Sequence, residues 1–155
     1  MRFAGNVIWF VFGGWYLSLI WLFGAVVFAI SIVGLPLSRA AFEMAKLSAF
    51  PFGKEVVHIR ELDQKGLTAT TAVTGTFGFI VNIIWALTFG WVLFLSHLFA
   101  GVISCLTLIG IPFGIQSFKL AGISLWPMGR RVVTRELADA ARQSNAQMQL
   151  AKYRT

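Results

Sequence analysis

The sequence predicts an all-α membrane protein made of two tandem parallel repeats, each with a long transmembrane helix, a Gly-x-Pro break and a shorter second helix. Of its 155 residues, 57% are hydrophobic and only 12% are charged. Asp, Glu, Lys and Arg are absent from residues 3–38 and from residues 66–118. Since a soluble domain rarely leaves stretches of that length uncharged, these two segments are predicted to lie in lipid.

The repeat is visible when the chain is shifted by 76 positions, because residues 6–57 then align with residues 82–133 without a gap. Nineteen aligned positions are identical, and they include asparagine, tryptophan, glycine and proline as well as aliphatic residues. Shared apolar composition would not align all of these residue types. We therefore predict repeat 1 at residues 1–65 (a membrane unit and a polar loop), repeat 2 at residues 66–134, and a basic cytoplasmic tail at residues 135–155.

A long helix is expected to open each repeat. The apolar run at residues 7–33 would form roughly 40 Å of helix, more than the roughly 30 Å of a bilayer's hydrocarbon core. A glycine and a proline then interrupt both repeats at equivalent positions. Proline has no N–H donor and fits the first turn of a helix, so a second helix can begin at each break. The four break residues are Gly34, Pro36, Gly110 and Pro112.

The second helices, predicted at residues 37–50 and 113–126, are about 20 Å long and therefore short for a full crossing. Each could span the membrane, re-enter it or lie at its interface. If each repeat crossed only once, the cationic loop at residues 54–65 would lie opposite the basic tail, against the positive-inside bias. A hairpin in each repeat puts both on one side. We therefore expect a multi-pass protein with both termini in the cytoplasm and a short extended piece in the loop.

Two opposite charges occupy equivalent positions in the repeats, Glu43 in the first and Lys119 in the second. Equivalent positions near a twofold axis face each other, so Glu43 and Lys119 could form an ion pair across it. Glu43 could instead pair with Arg39 or Lys46, one helical turn away. The sequence leaves both pairings open.

Basic residues near the membrane segments are predicted to meet lipid. Lys and Arg beside a membrane segment stay cytoplasmic and attract anionic headgroups, so we expect headgroup or anion contacts and no nucleic-acid partner. A ring of cations that lines a pore is the alternative. The residues predicted to make headgroup or anion contacts are Arg39, Lys46, Arg130 and Arg131.

Polar side chains inside apolar segments are candidates for an ion or proton path. His97 and Ser104 lie seven residues apart on one stripe of repeat 2, and His97 stands where repeat 1 has Trp21. A neutral imidazole that a neighbouring helix satisfies is the structural alternative. Asn6 and Asn82 occupy equivalent positions, and helix capping or an interhelical hydrogen bond explains them more simply than ion coordination.

Sequence signs of enzymatic chemistry are missing. The sequence has no glycine-rich phosphate loop, serine elbow or HExxH motif, so no enzyme activity is expected. Cys105 is the single cysteine, which excludes an internal disulfide, and two distant histidines, His58 and His97, hardly supply a metal site. We therefore expect no cofactor.

Four phrases resemble the YccF family of bacterial inner-membrane proteins. They lie at residues 34–37, 47–53, 110–115 and 125–133, and the most specific are GIPFGI in the third and LWPMGRRVV in the fourth. The resemblance covers about residues 6–142. It implies a small protein of the bacterial inner membrane with duplicated YccF-type segments, and it implies no activity, so no functional residue is transferred from it.

The leading functional hypothesis is a homo-oligomeric channel or pore for small ions, with anions slightly favoured by the cations near the membrane. Because four short or bent helices enclose little volume, its path would run between subunits. The main alternative is a non-conducting scaffold that organises the lipid bilayer, or an accessory subunit of a partner transporter. A coupled transporter is a third hypothesis, suggested by the repeat and by His97.

Overall fold

A computed structural model describes residues 2–31, 34–62 and 75–153 of the chain. The predicted boundary between the repeats, after residue 65, lies outside the described residues, as do the last two residues of the predicted tail. Most of the described residues are helical, and they follow the order that the repeat predicts.

Each repeat contains a long helix, a short helix and a β-strand. The first repeat has the first long helix (Arg2–Ala29), the first short helix (Leu35–Ala49), strand β1 (Lys54–His58) and one helical turn (Ile59–Leu62). The second repeat has the second long helix (Thr76–Cys105), the second short helix (Ile111–Ser124) and strand β2 (Arg130–Thr134). The tail helix (Arg135–Tyr153) follows directly.

Both long helices are long and apolar enough to cross a membrane. Each contains a π-helical turn at the same place in its repeat, Phe10–Gly14 in the first and Ala86–Gly90 in the second. Within the first of these turns, Gly13 has a φ of 145°, a conformation that side-chain-bearing residues rarely adopt. The two repeats therefore share an irregularity of the backbone as well as their sequence.

The predicted breaks separate the long helices from the short ones. The short helices begin at Leu35 and Ile111, two residues earlier than predicted, with proline in the first turn of each. The Gly34 N–H donates to the carbonyl and the hydroxyl of Ser31 at 3.0 and 2.9 Å. Gly110 repeats this geometry with Thr107. A Cβ at Gly34 would collide with the carbonyl oxygen of Phe28, so the bend requires a glycine there.

Strands β1 and β2 pair antiparallel and join the two repeats. The register places Val56 opposite Val132, and these are equivalent positions of the two repeats. A pseudo-twofold axis therefore passes between them. The extended piece expected in the loop is present as β1, but its pairing with a second strand departs from the predicted all-α class. Because both strands belong to one sheet, the segments that follow the two short helices lie at the same end of the molecule.

The core lies where the repeats meet. The indole rings of Trp21 and Trp85 stack there with centroids 5.2 Å apart, and the Trp85 ring also contacts Phe28. In contrast, large apolar side chains on the outer faces are exposed, among them Phe23, Ile30, Phe99 and Leu108. A soluble protein rarely exposes so much contiguous apolar surface, so these faces suit a lipid environment.

Candidate functional site

In each repeat, one asparagine connects the long helix to the segment that follows the short helix. The Asn6 side chain donates to the Phe52 carbonyl at 3.1 Å and accepts from the Phe52 N–H at 2.9 Å. Asn82 bonds the backbone of Met128 in the same way, at 3.3 and 2.9 Å. These asparagines therefore act as hydrogen-bonding groups, but their partners lie in the turns that follow the short helices, whereas the sequence analysis expected a helix end or a second helix.

Two tryptophans reinforce this closure, and sequence analysis missed their role. The indole N–H of Trp9 donates to the Ser48 carbonyl at 2.6 Å, and that of Trp85 donates to the Ser124 carbonyl at 2.8 Å. The signal was available, because both the tryptophans and the serines are identical between the repeats. Each short helix thus returns along its long helix, and each repeat has the shape of a hairpin.

The charged residues pair between repeats, but not as predicted. Glu43 accepts from Arg131 Nη1 at 2.8 Å, and Lys119 Nζ lies 3.8 Å from Glu55. The predicted Glu43–Lys119 pair is therefore wrong. Glu43 and Lys119 do not meet because the charged side of each short helix faces the strand of the other repeat. Among the described residues, the alternative pairing of Glu43 within its own helix does not form either.

Glu55 holds the tail helix against the sheet. Its side chain is only 19% exposed, and its carboxylate accepts from Arg142 of the tail helix at 2.8 Å. This hydrogen bond holds the pKa of Glu55 below its ordinary value, with Lys119 acting in the same direction and burial opposing it. A second tie joins Arg2 Nη1 to Glu136 at 2.7 Å. The N-terminus and the start of the tail therefore lie at the same end of the molecule.

A cleft of about 360 Å³ lies beside the sheet and collects most of the predicted headgroup contacts. Arg39, Arg130 and Arg131 line it together with Glu43. The Arg130 Nε donates to the Trp126 carbonyl at 3.0 Å. Lys46 is not among the described residues that line the cleft. Its ammonium lies 4.4 Å from the centroid of the Phe42 ring. The structure thus brings together three of the four predicted cations.

His97 is fully buried in the second long helix. Its Nε2 lies 3.4 Å from Ser48 Oγ of the first short helix, whereas its Nδ1 has no hydrogen-bond partner among the described residues. Ser104 donates to the Ala100 carbonyl of its own helix at 2.7 Å. His97 therefore contacts a neighbouring helix, as its structural interpretation requires, while an ion or proton path through His97 and Ser104 stays a prediction.

Side chains that could bind a metal ion are dispersed over the part of the chain that the structure describes. No group of three or more His, Cys, Asp or Glu side chains there could hold a metal ion. Cys105 is a free, exposed cysteine at the end of the second long helix.

Comparison with known proteins finds the same duplication. A family model described as the inner membrane component domain, YccF, matches residues 4–54 and again residues 80–130. Inner membrane protein YccF of Escherichia coli (strain K12) is 44% identical over 146 residues, which cover 94% of this chain and 97% of the relative. Inner membrane protein YccF of Shigella flexneri matches to the same extent. No solved structure matches the chain significantly.

Proposed function

Since this chain belongs to the YccF family of inner membrane proteins, we propose that it is a non-conducting scaffold that binds anionic lipid headgroups at its charged end. The observation that carries the proposal is the cleft beside the sheet, where Arg39, Arg130 and Arg131 converge. Its one carboxylate, Glu43, is already paired with Arg131. The cleft therefore keeps a net positive charge.

The chemistry of the cleft suits a phosphate-bearing headgroup. A guanidinium presents five N–H donors in a planar fork, and phosphate oxygens accept pairs of them. One donor of Arg130 is used by the Trp126 carbonyl, which fixes the side chain and leaves its terminal nitrogens for a ligand. Anionic headgroups are abundant where a polar molecular surface meets the bilayer, and basic residues there attract them.

We place this end of the molecule in the cytoplasm, with both termini there and the protein multi-pass. Basic residues beside membrane segments are retained on that side. Arg2 and Glu136 are ion-paired, and β1 and β2 share one sheet, so the N-terminus, both strands and the start of the tail have a common side. A hairpin in each repeat is the topology that accommodates this arrangement.

The packing between repeats supports a non-conducting role. Trp21 and Trp85 stack at the centre, and the rings of Phe28 and Phe89 close around Trp85. Conduction past Trp85 would have to displace these rings. A membrane protein that has a closed centre and a cationic cleft at one end can order lipids, or support a partner transporter, without passing ions.

A homo-oligomeric channel for small ions, with anions slightly favoured, is the second candidate. The observation in its favour is His97, whose buried Nδ1 lacks a partner among the described residues, since titratable groups at membrane depth are candidates for ion or proton paths. Arg39, which is exposed, could attract anions to its entrance. Such a path would run between subunits, because the centre of one subunit is filled.

Purified protein in liposomes separates the two candidates. We expect no chloride, potassium or proton flux above that of protein-free vesicles, and a reproducible single-channel current or flux would contradict the scaffold. Headgroup binding is tested in detergent by native mass spectrometry with phosphatidylglycerol against phosphatidylcholine. We expect Arg39→Gln and Arg130→Gln to reduce the phosphatidylglycerol preference about tenfold together, equivalent to about 1.4 kcal/mol. Lys46→Gln, a cation outside the cleft, should leave it unchanged.

A further inference from the structure

The two sides of the interface between the repeats are packed differently. On one side, which we call the filled side, the Trp85 ring stacks on Trp21, and Phe28 and Phe89 lie with centroids 5.7 Å from it. The pseudo-twofold axis maps this side onto the surroundings of Trp9, which we call the open side. There the three partner rings are replaced by His97, Ser104 and Gly13 respectively. At these three positions the open side therefore has much less side-chain volume, and the rings that contact Trp9 are instead Phe52 and Phe113.

A cavity of about 300 Å³ occupies the open side. It lies between the first long helix and the bend of the second repeat, and none of its described lining residues is charged. Trp9, Gly13, Ala100, Ser104 and Phe113 form part of its wall. This volume is within the range of small-molecule sites, and an apolar cavity half that size is large enough to bind an apolar guest.

The geometry points to a binding site for one acyl chain of a membrane lipid. The rim of the cavity carries Phe12, Ile103 and Ile109, whose side chains are 86%, 65% and 83% exposed on a part of the molecule where apolar surface predominates. A ligand that enters here comes from hydrocarbon. On the filled side the corresponding volume is occupied by aromatic rings of the protein itself, so an apolar group suits both sides.

Water and ions fit the cavity poorly. A buried water needs two to four polar partners. Of the three hydroxyls in its described wall, Ser104 Oγ already donates to the Ala100 carbonyl, and Thr107 Oγ1 already accepts from the Gly110 N–H at 3.0 Å. Ser117 is the third, and one hydroxyl does not supply the partners that a water needs. An unfilled apolar cavity destabilises a protein in proportion to its volume. A flexible acyl chain removes that penalty without requiring a polar partner.

Gly13 shows that the open side is shaped by its backbone as well as by missing rings. A Cβ at Gly13 would meet nothing within 4 Å, so this glycine is not required by crowding. The φ of 145° explains why a glycine stands at this position, in a π-helical turn that borders the cavity. The equivalent turn of the second repeat carries Phe89 and lacks a positive φ at that residue. π-helical turns of this kind are frequent at functional sites.

Photo-crosslinking in nanodiscs tests the site with a defined probe. The full-length protein is reconstituted with phosphatidylglycerol that carries a diazirine in the middle of one acyl chain, and labelled residues are mapped by mass spectrometry. We expect labelling around Trp9 and Ser104 to exceed labelling at Phe99, an exposed outer-face residue. Ser104→Phe, which copies the filled side, should reduce the labelling at Trp9 about tenfold, a free-energy change of about 1.4 kcal/mol, while Phe99 keeps its label.

The filled side provides the matched control. Phe28→Ser should open the equivalent space and create labelling around Trp85, where we expect none in the wild-type protein. Should Ser104→Phe fail to fold, Ala100→Leu narrows the same cavity from another position and carries the same expectation. Undiminished Trp9 labelling in a folded filling variant would overturn the proposal. So would labelling by a free diazirine fatty acid but not by the phospholipid, because the ligand would then not be a membrane lipid.

Discussion

Glu43 and Arg131 form an ion pair at 2.8 Å whose pseudo-twofold equivalent, Lys119 with Glu55, has the opposite sign at both positions. This reversal of sign determines which repeats attract each other. If two copies of repeat 1 met in this geometry, Glu43 would face Glu55. If two copies of repeat 2 met, Lys119 would face Arg131. Only the pairing of repeat 1 with repeat 2 is attractive at both places, so these four charges select it against the alternatives.

Reversing one charge should therefore destabilise the protein, and reversing its partner should restore it. Glu43→Lys places two cations together and is expected to lower the free energy of unfolding by about 1 kcal/mol, because the pair is partly exposed to solvent. Adding Arg131→Glu should recover most of the loss. Thermal unfolding in mild detergent, followed by tryptophan fluorescence, measures both. Lys46→Glu serves as the control, and a double variant no more stable than Glu43→Lys would refute the pairing.

The sequence predicted the architecture of each repeat better than the contacts between repeats. The duplication, the long apolar helices and the breaks follow from local patterns that occur in both repeats, and the structure contains them. The Glu43–Lys119 pair failed because equivalent positions meet only when they lie on the axis. Val56 and Val132 lie on it, whereas the two short helices do not. The direction in which each helix faces depends on packing between repeats, which no local pattern encodes.

The two asparagine bridges should differ in strength because they differ in burial. Asn82 is 1% exposed, while Asn6 is partly exposed. Asn82→Leu leaves the N–H and the carbonyl of Met128 without partners in a dry environment, which should cost about 2–3 kcal/mol. Asn6→Leu should cost less, because solvent can reach Phe52. Thermal unfolding of the two single variants checks the order, and an equal loss in both would show that burial is not the deciding factor.

Close packing at Gly24 should make the filled side intolerant of a methyl group. A Cβ at Gly24 would lie 2.9 Å from the Trp85 ring. Gly24→Ala is therefore expected to destabilise the protein by about 1–2 kcal/mol, since overpacking outweighs the gain in helix propensity.

Gly122, where a Cβ would meet nothing within 4 Å, provides the matched control in the second short helix. Gly122→Ala should be neutral or stabilising by up to about 1 kcal/mol, through helix propensity alone. The comparison uses denaturant midpoints of the two variants in the same detergent. A Gly24→Ala variant as stable as Gly122→Ala would mean that the Trp85 ring can move aside.

Acid should release the tail helix from the sheet through Glu55. The Arg142 hydrogen bond makes the pKa of Glu55 lower in the folded protein than its ordinary value of 4.5. The stability that this carboxylate contributes is therefore fully present above that ordinary value and is lost as the pH falls through the folded-state pKa. We expect the unfolding temperature to decrease over this acidic range in the wild-type protein. In Glu55→Gln it should be lower at neutral pH and change less on acidification, whereas equal pH dependence in both proteins would assign the acid response to another carboxylate, such as Glu136, whose pKa is lowered by its hydrogen bond from Arg2.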